Sequence, residues 1–520
     1  MLGGDERGGD AVERQSSILG GTLLLTAANL LLRLISIGFN VFLADRIGAS
    51  GLGLLQLISS VGLFAVLVGT GGIRTAAMYL AAEEFGHRRL GGVRRAVSTC
   101  LRSALLVSGI AGALLFLTAH PLAVGWLRDE RATLSLRVMG LLLPFSCLCG
   151  IMTGYYTACS RIRQLVLIEL AERLVSLLMT VALLLTWAKN DLSRACCAIT
   201  LGSSVGCIFD FFLLYASYRR DIRRVALPTE PLHMRKRMLR LSVPLALNDY
   251  LRAGLTTAEQ LLIPYGLARF GGSTERAMAD YGTIHAMVFP VLMFPAAALY
   301  AVSDLLVPEL SRSRAMGRQL RIVDLTDKCM RMGLLFAGAV AGTLFLCAEP
   351  LGELIYHSTD AARYLRIFAP MVLMLYLDAI VDGMLKGLAE QVSCVRYNTF
   401  TSLLDVLFLL VLLPRWGIGG YVFSFAITHA INLFLSVRRL LHTAQHRPKP
   451  ADFLRPLVST LAACAAASLL PSGGTVGALV LRGGFFLGVL GACYLLSDAL
   501  TIRDSRWLRR VFRGLIKGEK

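Results

Sequence analysis

The sequence predicts an all-α polytopic membrane protein of about fourteen transmembrane helices, arranged as two six-helix lobes in a parallel pseudo-repeat plus two C-terminal helices. Three observations predict it. Of 520 residues, 55% are hydrophobic and only 17% charged, where a soluble domain carries about a quarter charged; mean hydropathy is +0.63. Apolar runs of roughly 20 residues, the length that crosses a bilayer core, recur from one end to the other. Lys and Arg gather in alternate loops between those runs. Ordinary soluble enzymes, secreted disulfide scaffolds, disordered regulators and collagen-like chains are excluded together. Leu/Ala-rich runs of this length also exclude the alternating strands of a barrel.

Residues 1–16 read as a polar N-terminal tail that lacks the basic start and cleavage site of a signal peptide, so the first helix is expected to stay in the protein. An N-lobe is expected over 17–225, with spans near 17–45, 53–80, 97–118, 134–158, 164–188 and 195–217. A C-lobe over 226–440 follows, with spans near 239–264, 281–307, 330–347, 364–387, 398–414 and 417–437. Residues 441–500 hold two more, near 453–470 and 475–498, and 501–520 form a basic tail. One set of loops carries Arg88, Arg89, Arg94 and Arg95, then Arg161 and Arg163, then the long run from Tyr218 to Arg240, then Arg312, Arg314, Arg318 and Arg321. Opposite loops hold one or two basic residues each, such as Arg46 and Arg415. Basic loops stay on the cytoplasmic side, so both termini are expected there, in a multi-pass cell-membrane protein. The net charge of +19 is therefore topogenic, and no nucleic-acid partner is expected.

The Tyr218–Arg240 loop divides the core into equal halves. The second helix of each half ends similarly, in GTGGIRTAAMYLAAEE and FPAAALYAVSDLLVPELSRSR, which suggests duplication with an even number of spans per half. No phosphate-binding G-x-x-x-x-G-K-[ST], no H-E-x-x-H, no nucleophile elbow and no potassium-filter motif occurs, so neither an enzyme nor a cofactor is expected. The 12 cysteines lie in apolar spans without C-x-x-C pairs and read as packing residues rather than metal ligands.

Charges inside spans are costly and mark candidate sites. Arg33, Arg74 and Arg252 sit in the first, second and seventh helices, and their guanidinium forks suit a phosphate-bearing lipid. Against this, Asp249 lies three residues before Arg252 and can neutralise it, and Arg74 can snorkel to the interface. Glu259 and His285, with Asp249, are candidates for proton or sodium coupling, although a lone membrane histidine is more often a packing residue. Pro290 and Pro295 can bend the eighth helix for gating, or shape it statically. Glu169 and Arg173 are spaced to pair along one face. Asp210, Asp378, Asp382 and Asp405 read as solvated or paired. Arg482, in the last helix, has no partner visible in the sequence.

The segment ADRIGASGLGLLQLISSVGLFAVLVGTGGIRTAAMYLAAEE, behind an Arg-containing first helix, resembles the start of SpoVB-type proteins of the multidrug/oligosaccharidyl-lipid/polysaccharide (MOP) exporter superfamily. The likeness continues through SVPLALNDYLRAGLTTAEQLLIPYGL and GIGGYVFSFAITHAINLFLSVRRL, over about residues 17 to 440. It implies a monomeric alternating-access flippase for an undecaprenyl-type lipid-linked saccharide, a peptidoglycan precursor or polysaccharide unit, with a role in spore cortex synthesis. Related MurJ-type proteins flip lipid II through a cationic cavity. Arg33 matches the first arginine of their helix-1 pattern, but Phe39 and Asn40 stand where that pattern has Arg and Asp. A cation-coupled multidrug exporter of the same superfamily and a non-transporting scaffold for cell-wall synthesis are the alternatives.

Overall fold

The computed structural model describes residues 6–497, apart from 88, 160, 189–190, 223–232, 447–449, 472 and 474. The expected basic tail at 501–520 and the middle of the central basic loop lie outside the described residues, as do the first five residues of the N-terminal tail.

Among the described residues there are helices and turns and no strand. The first part of the chain forms α1 (Glu6–Thr70), α2 (Ile73–Gly86), α3 (Leu90–Leu122), α4 (Thr133–Ala158), α5 (Ile162–Thr186), α6 (Leu192–Ile222) and α7 (Met234–Gly271). Then come α8 (Thr274–Gly282), a π-helical turn at Thr283–Val288, and the short α9 (Phe289–Met293). They are followed by α10 (Ala296–Ala315), α11 (Gln319–Leu346), α12 (Ala348–Tyr356), α13 (Thr359–Phe368) and α14 (Val372–Gly387). The chain closes with α15 (Gln391–Trp416), α16 (Ile418–Ala444), α17 (Pro450–Ser468) and α18 (Val476–Leu496).

Nine helical stretches among the described residues are long and apolar enough to cross a membrane, against about fourteen expected from hydropathy. Part of the difference lies in α1. Gly48, with φ 70° and ψ 176°, kinks it where only glycine is comfortable, so Leu31–Thr70 joins two expected spans into one stretch. Elsewhere charge lowers the count: α5 carries Arg163, Glu169, Glu172 and Arg173, and α7 carries Asp249, Arg252 and Glu259 within its apolar stretch. The span expected at 281–307 is divided into the π turn, α9 and part of α10.

Packing separates two compact units. One contains the chain up to Arg46 together with Ile263 onward, and the other contains Ile47–Leu262. Within Ile47–Leu262, small residues bring α2, α3 and α4 together. Ala76, Ala77, Ala96, Cys100 and Ala104 pack with Ile73, Leu80 and Ile151, and Met234 and Met238 from α7 join the same core. A side chain at Gly140 would lie 2.8 Å from both the Gly112 carbonyl oxygen and the Phe116 nitrogen, so α3 and α4 meet backbone to backbone. Lipid supplies no hydrophobic drive between helices, and such close contact is what holds them. Outward-facing Leu106, Ile110, Leu117 and Leu141 on the same two helices stay exposed, as lipid contact requires.

In the other unit, α17 and α18 dock on α11. Leu335 and Leu346 pack there against Ala463, Ala467, Phe486, Leu490 and Tyr494. The Tyr494 hydroxyl donates to the Leu335 carbonyl at 3.2 Å. Arg482 is buried in this contact. Its Nη1 donates to Leu346 O at 3.2 Å and its Nε to Ala467 O at 3.4 Å. Both acceptors lie in the last turns of their helices, where the dipole is negative; Ala467 O also accepts from Leu470 N at 3.2 Å. The missing partner of Arg482 is thus the ends of α11 and α17.

Candidate substrate and coupling residues

Among the described residues a helix is broken in each unit, and Arg33, Arg74, Pro290 and Pro295 lie at the breaks. In the unit that begins at Ile263, the break is made by proline. Pro290 has no N–H to offer the Ala286 carbonyl four residues back, and Asn40 Nδ2 of α1 donates to that oxygen at 3.1 Å. Pro295 starts α10 afresh, so the Ala297 amide turns to Phe294 O and leaves Met293 O without its helical donor. Arg33 Nη1 of α1 takes it at 2.8 Å. The Tyr376 hydroxyl of α14 donates to Leu292 O at 2.7 Å. Three side chains therefore reach carbonyls along this segment, two of which have lost their helical donors, as a bilayer demands. Arg33 is half-buried, with its guanidinium 5.5 Å from the Tyr300 ring centroid.

In the Ile47–Leu262 unit, the break between α1 and α2 is made by Gly71 and Gly72, at φ 50° and 70°. A side chain at Gly72 would stand 2.5 Å from Ser242 O of α7, so the backbones of α2 and α7 touch there. Val68 O, next to the break, accepts from the Tyr250 hydroxyl of α7 at 3.0 Å. At the far end of α2, Arg237 of α7 pairs with Glu83 at 2.6 Å and Glu84 at 2.9 Å. Arg74 is the second residue of α2, beside Gly150 of α4. It is exposed, and Glu169 of α5 lies in its electrostatic range. The pairing expected between Glu169 and Arg173 is replaced: Glu169 faces Arg74 and Asp210, while Arg173 acts on Glu172. Arg173 is exposed and Glu169 half-buried.

Arg252 lies midway along α7 and is exposed, with Asp249 in electrostatic range. Glu259, nearly two turns further along, is half-buried. His285 sits in the π turn with Nε2 3.1 Å from the Tyr421 hydroxyl, between the rings of Tyr281 and Phe289 at 4.6 and 4.9 Å. That is an aromatic packing environment with one hydrogen bond. The acidic residues read as solvated or paired are inside the helix bundle. Asp378 accepts from Asn432 Nδ2 at 3.0 and 3.1 Å, and Asp405 Oδ1 accepts from Ser424 at 2.5 Å and Thr428 at 3.4 Å. Oδ1 atoms of Asp210 and Asp382 are buried without a hydrogen-bond partner. Among the described residues no group of three or more His, Cys, Asp or Glu is placed to hold a metal ion.

Residues 18–314, more than half of the chain, match the family described as polysaccharide biosynthesis protein. The chain belongs to that family. Among curated relatives of this polysaccharide biosynthesis protein is stage V sporulation protein B of Bacillus subtilis (strain 168), 22% identical over 419 residues, which are 78% of this chain and 80% of the relative. Among solved structures, the lipid II flippase MurJ in an inward closed conformation has a TM-score of 0.69 at 14% identity, covering 92% of this chain and 99% of that one. An inward-facing multidrug resistance MATE family transporter of the MOP superfamily has a TM-score of 0.59 at 14% identity, covering 80% and 99%. The expected resemblance is therefore met: this is a SpoVB-like membrane protein with the helical fold of MOP transporters.

Proposed function

We propose that the protein is an alternating-access flippase of the cell membrane, moving an undecaprenyl-type lipid-linked saccharide between leaflets. One observation carries the reading: Arg74 on α2 and Arg252 on α7 of one unit are both exposed. A cation within a bilayer requires water or an anionic partner rather than hydrocarbon. In the other unit, Arg33 gives one N–H to Met293 O and keeps further donors for a phosphate. A peptidoglycan precursor or polysaccharide unit carries such a phosphate; the sporulation relative supports a role in sporulation, and spore cortex synthesis is the role we assign. Proton or sodium coupling is assigned to Glu259, His285 and Asp249, and gating to the break at Pro290 and Pro295. The protein is taken as a monomer with both termini cytoplasmic, and the two units are taken to move as the lobes of a rocking transporter.

The test is flipping of a fluorescent lipid-linked saccharide in proteoliposomes. Arg33→Ala and Arg252→Ala are each expected to lower the rate at least about tenfold, the loss of one charge-assisted contact. Equal rates in native and variant proteins would refute the cationic site. The second reading, a cation-coupled drug exporter, is favoured by the MATE-like fold and by the acidic side chains Asp378, Asp382 and Asp405. Ion-driven efflux of a cationic dye, with no flipping of lipid-linked saccharides, would establish it. A scaffold role would leave function intact after charge reversal at Arg33 and Arg252.

A further inference from the structure

Asp210 lies on α6 in the membrane-spanning part of the Ile47–Leu262 unit and is only 9% exposed. Its Oδ1 has no hydrogen-bond partner, which in so buried a place costs free energy while the group stays ionised. Charged and thiol groups from the packed elements act on it. Cys149 of α4 is within hydrogen-bonding reach of the carboxylate, and the Cys149 thiol also donates to Cys207 O of α6 at 3.0 Å. Glu169 and Glu172 of α5 both lie in its electrostatic range. Arg74 of α2 and Arg173 of α5 are the cations nearby, acting on Glu169 and Glu172 respectively. The approach of α5 is close because residue 206 is glycine: a side chain there would stand 2.7 Å from Glu172 Oε1.

Three carboxylates and two guanidiniums leave one negative charge over, and Asp210 Oδ1 among them is buried without a partner. A metal ion does not resolve this, since no three acidic, His or Cys groups among the described residues are placed to ligate one. One proton does. It neutralises the excess charge, gives Oδ1 a hydrogen to offer, and removes the repulsion between Asp210 and its glutamate neighbours.

We propose that the buried Asp210 of α6 is a proton-binding site, separate from the coupling residues assigned above. The proton comes from water through the half-buried Glu169 and the exposed Arg74 side, and ends on a carboxylate oxygen of Asp210. With the site loaded, Glu169 has one less repulsive neighbour and pairs fully with Arg74. With the site empty, the shared negative charge draws more on the same guanidinium. Proton binding and the anion affinity of Arg74 are therefore linked, and by reciprocity each alters the other. This linkage rests on the flippase reading; the proton site does not.

The experiment is infrared difference spectroscopy of the full chain in lipid vesicles, following the carbonyl stretch of a protonated carboxylic acid as pH is changed, in NaCl and in KCl. The native protein is expected to show a titrating band that is the same in both salts. Asp210→Asn should lose it, and Glu172→Gln should keep it with its midpoint moved to lower pH, because one repelling charge is gone. A band that survives in Asp210→Asn, or one that sodium removes, overturns the proposal, the latter in favour of a sodium site. Helical circular dichroism and gel-filtration behaviour report on folding. Should Asp210→Asn fail that check, the Glu172→Gln midpoint decides, and an unmoved midpoint overturns the proposal. A flipping assay that fails while the band behaves as expected counts against the flippase reading alone.

Discussion

A guanidinium has five N–H groups, and Arg33 and Arg482 use them differently. Arg482 is buried, with contacts to the carbonyls that end α11 and α17, so its work is to hold the C-terminal helix pair. Arg482→Met is expected to lower unfolding stability by about 2–4 kcal/mol, because two buried acceptors lose a charged donor. A thermal-melt comparison checks this, and the folded fraction should keep its transport rate. Arg33 is half-buried and gives one hydrogen bond, to Met293 O. Arg33→Lys keeps the charge but loses the planar fork, so it is expected to melt within about 1 kcal/mol of the native protein while flipping at least fivefold more slowly, roughly one lost hydrogen bond. The sequence marks both arginines as costly and distinguishes neither, because the partners of Arg482 are main-chain oxygens at helix ends. The same limit explains Asn40. Asn40 departs from the MurJ-type pattern, and its amide serves Ala286 O, the carbonyl that Pro290 leaves without a donor.

Among elements, the broken helices were half legible. Pro290 and Pro295 announce a bend, and Gly48 sits in the Arg-Ile-Gly-Ala turn that carried the family resemblance. The sequence does not tell where the freed carbonyls find donors, since those come from residues far along the chain. Gly72→Ala is expected to cost about 2 kcal/mol or more, from the left-handed backbone and the contact with Ser242 O together. Tyr250→Phe should cost about 1 kcal/mol by leaving Val68 O without its donor. Denaturation in detergent measures both, and equal stability of the two variants would show that the α2–α7 approach is looser than described. A third element has a pH signature. The turn before α15 is tied to α16 by Glu390, which accepts from Arg439 Nε at 3.0 Å and Nη2 at 2.8 Å, and from Ser393. Arg439 and Ser393 hold the Glu390 carboxyl below its usual range. Its contribution is therefore present above the ordinary glutamate pKa and is lost as pH falls through the depressed value. Glu390→Gln should remove that acid-side loss, read as thermal midpoint against pH.

At the scale of the whole molecule, the duplication inferred from two similar helix ends has a counterpart in how the breaks are held. The break in the α8–α10 region is satisfied by Arg33 and Asn40 of α1, and the break before α2 is satisfied by Tyr250 of α7. In each case the leading helix of one half of the sequence serves the second helix of the other half. The compact units record the exchange: the chain up to Arg46 packs with Ile263 onward, and α7 as far as Leu262 packs with Ile47 onward. Lobe boundaries drawn at the central loop follow the order of the sequence, whereas packing follows these donors. A consequence is that neither sequence half contains all the donors its broken helix needs, and orphaned carbonyls inside a bilayer are strongly disfavoured. Cutting the chain within residues 223–232 and producing the halves separately should therefore give two polypeptides that are degraded or aggregate. Producing them together should restore flipping to within a fewfold of the intact chain, because the exchanged helices are then supplied in trans. In the co-produced pair, Arg33→Ala and Asn40→Ala together should lower the yield of the second half, on which neither residue lies. A second half that accumulates, folded and resistant to protease, without the first would show that the α8–α10 break can satisfy itself.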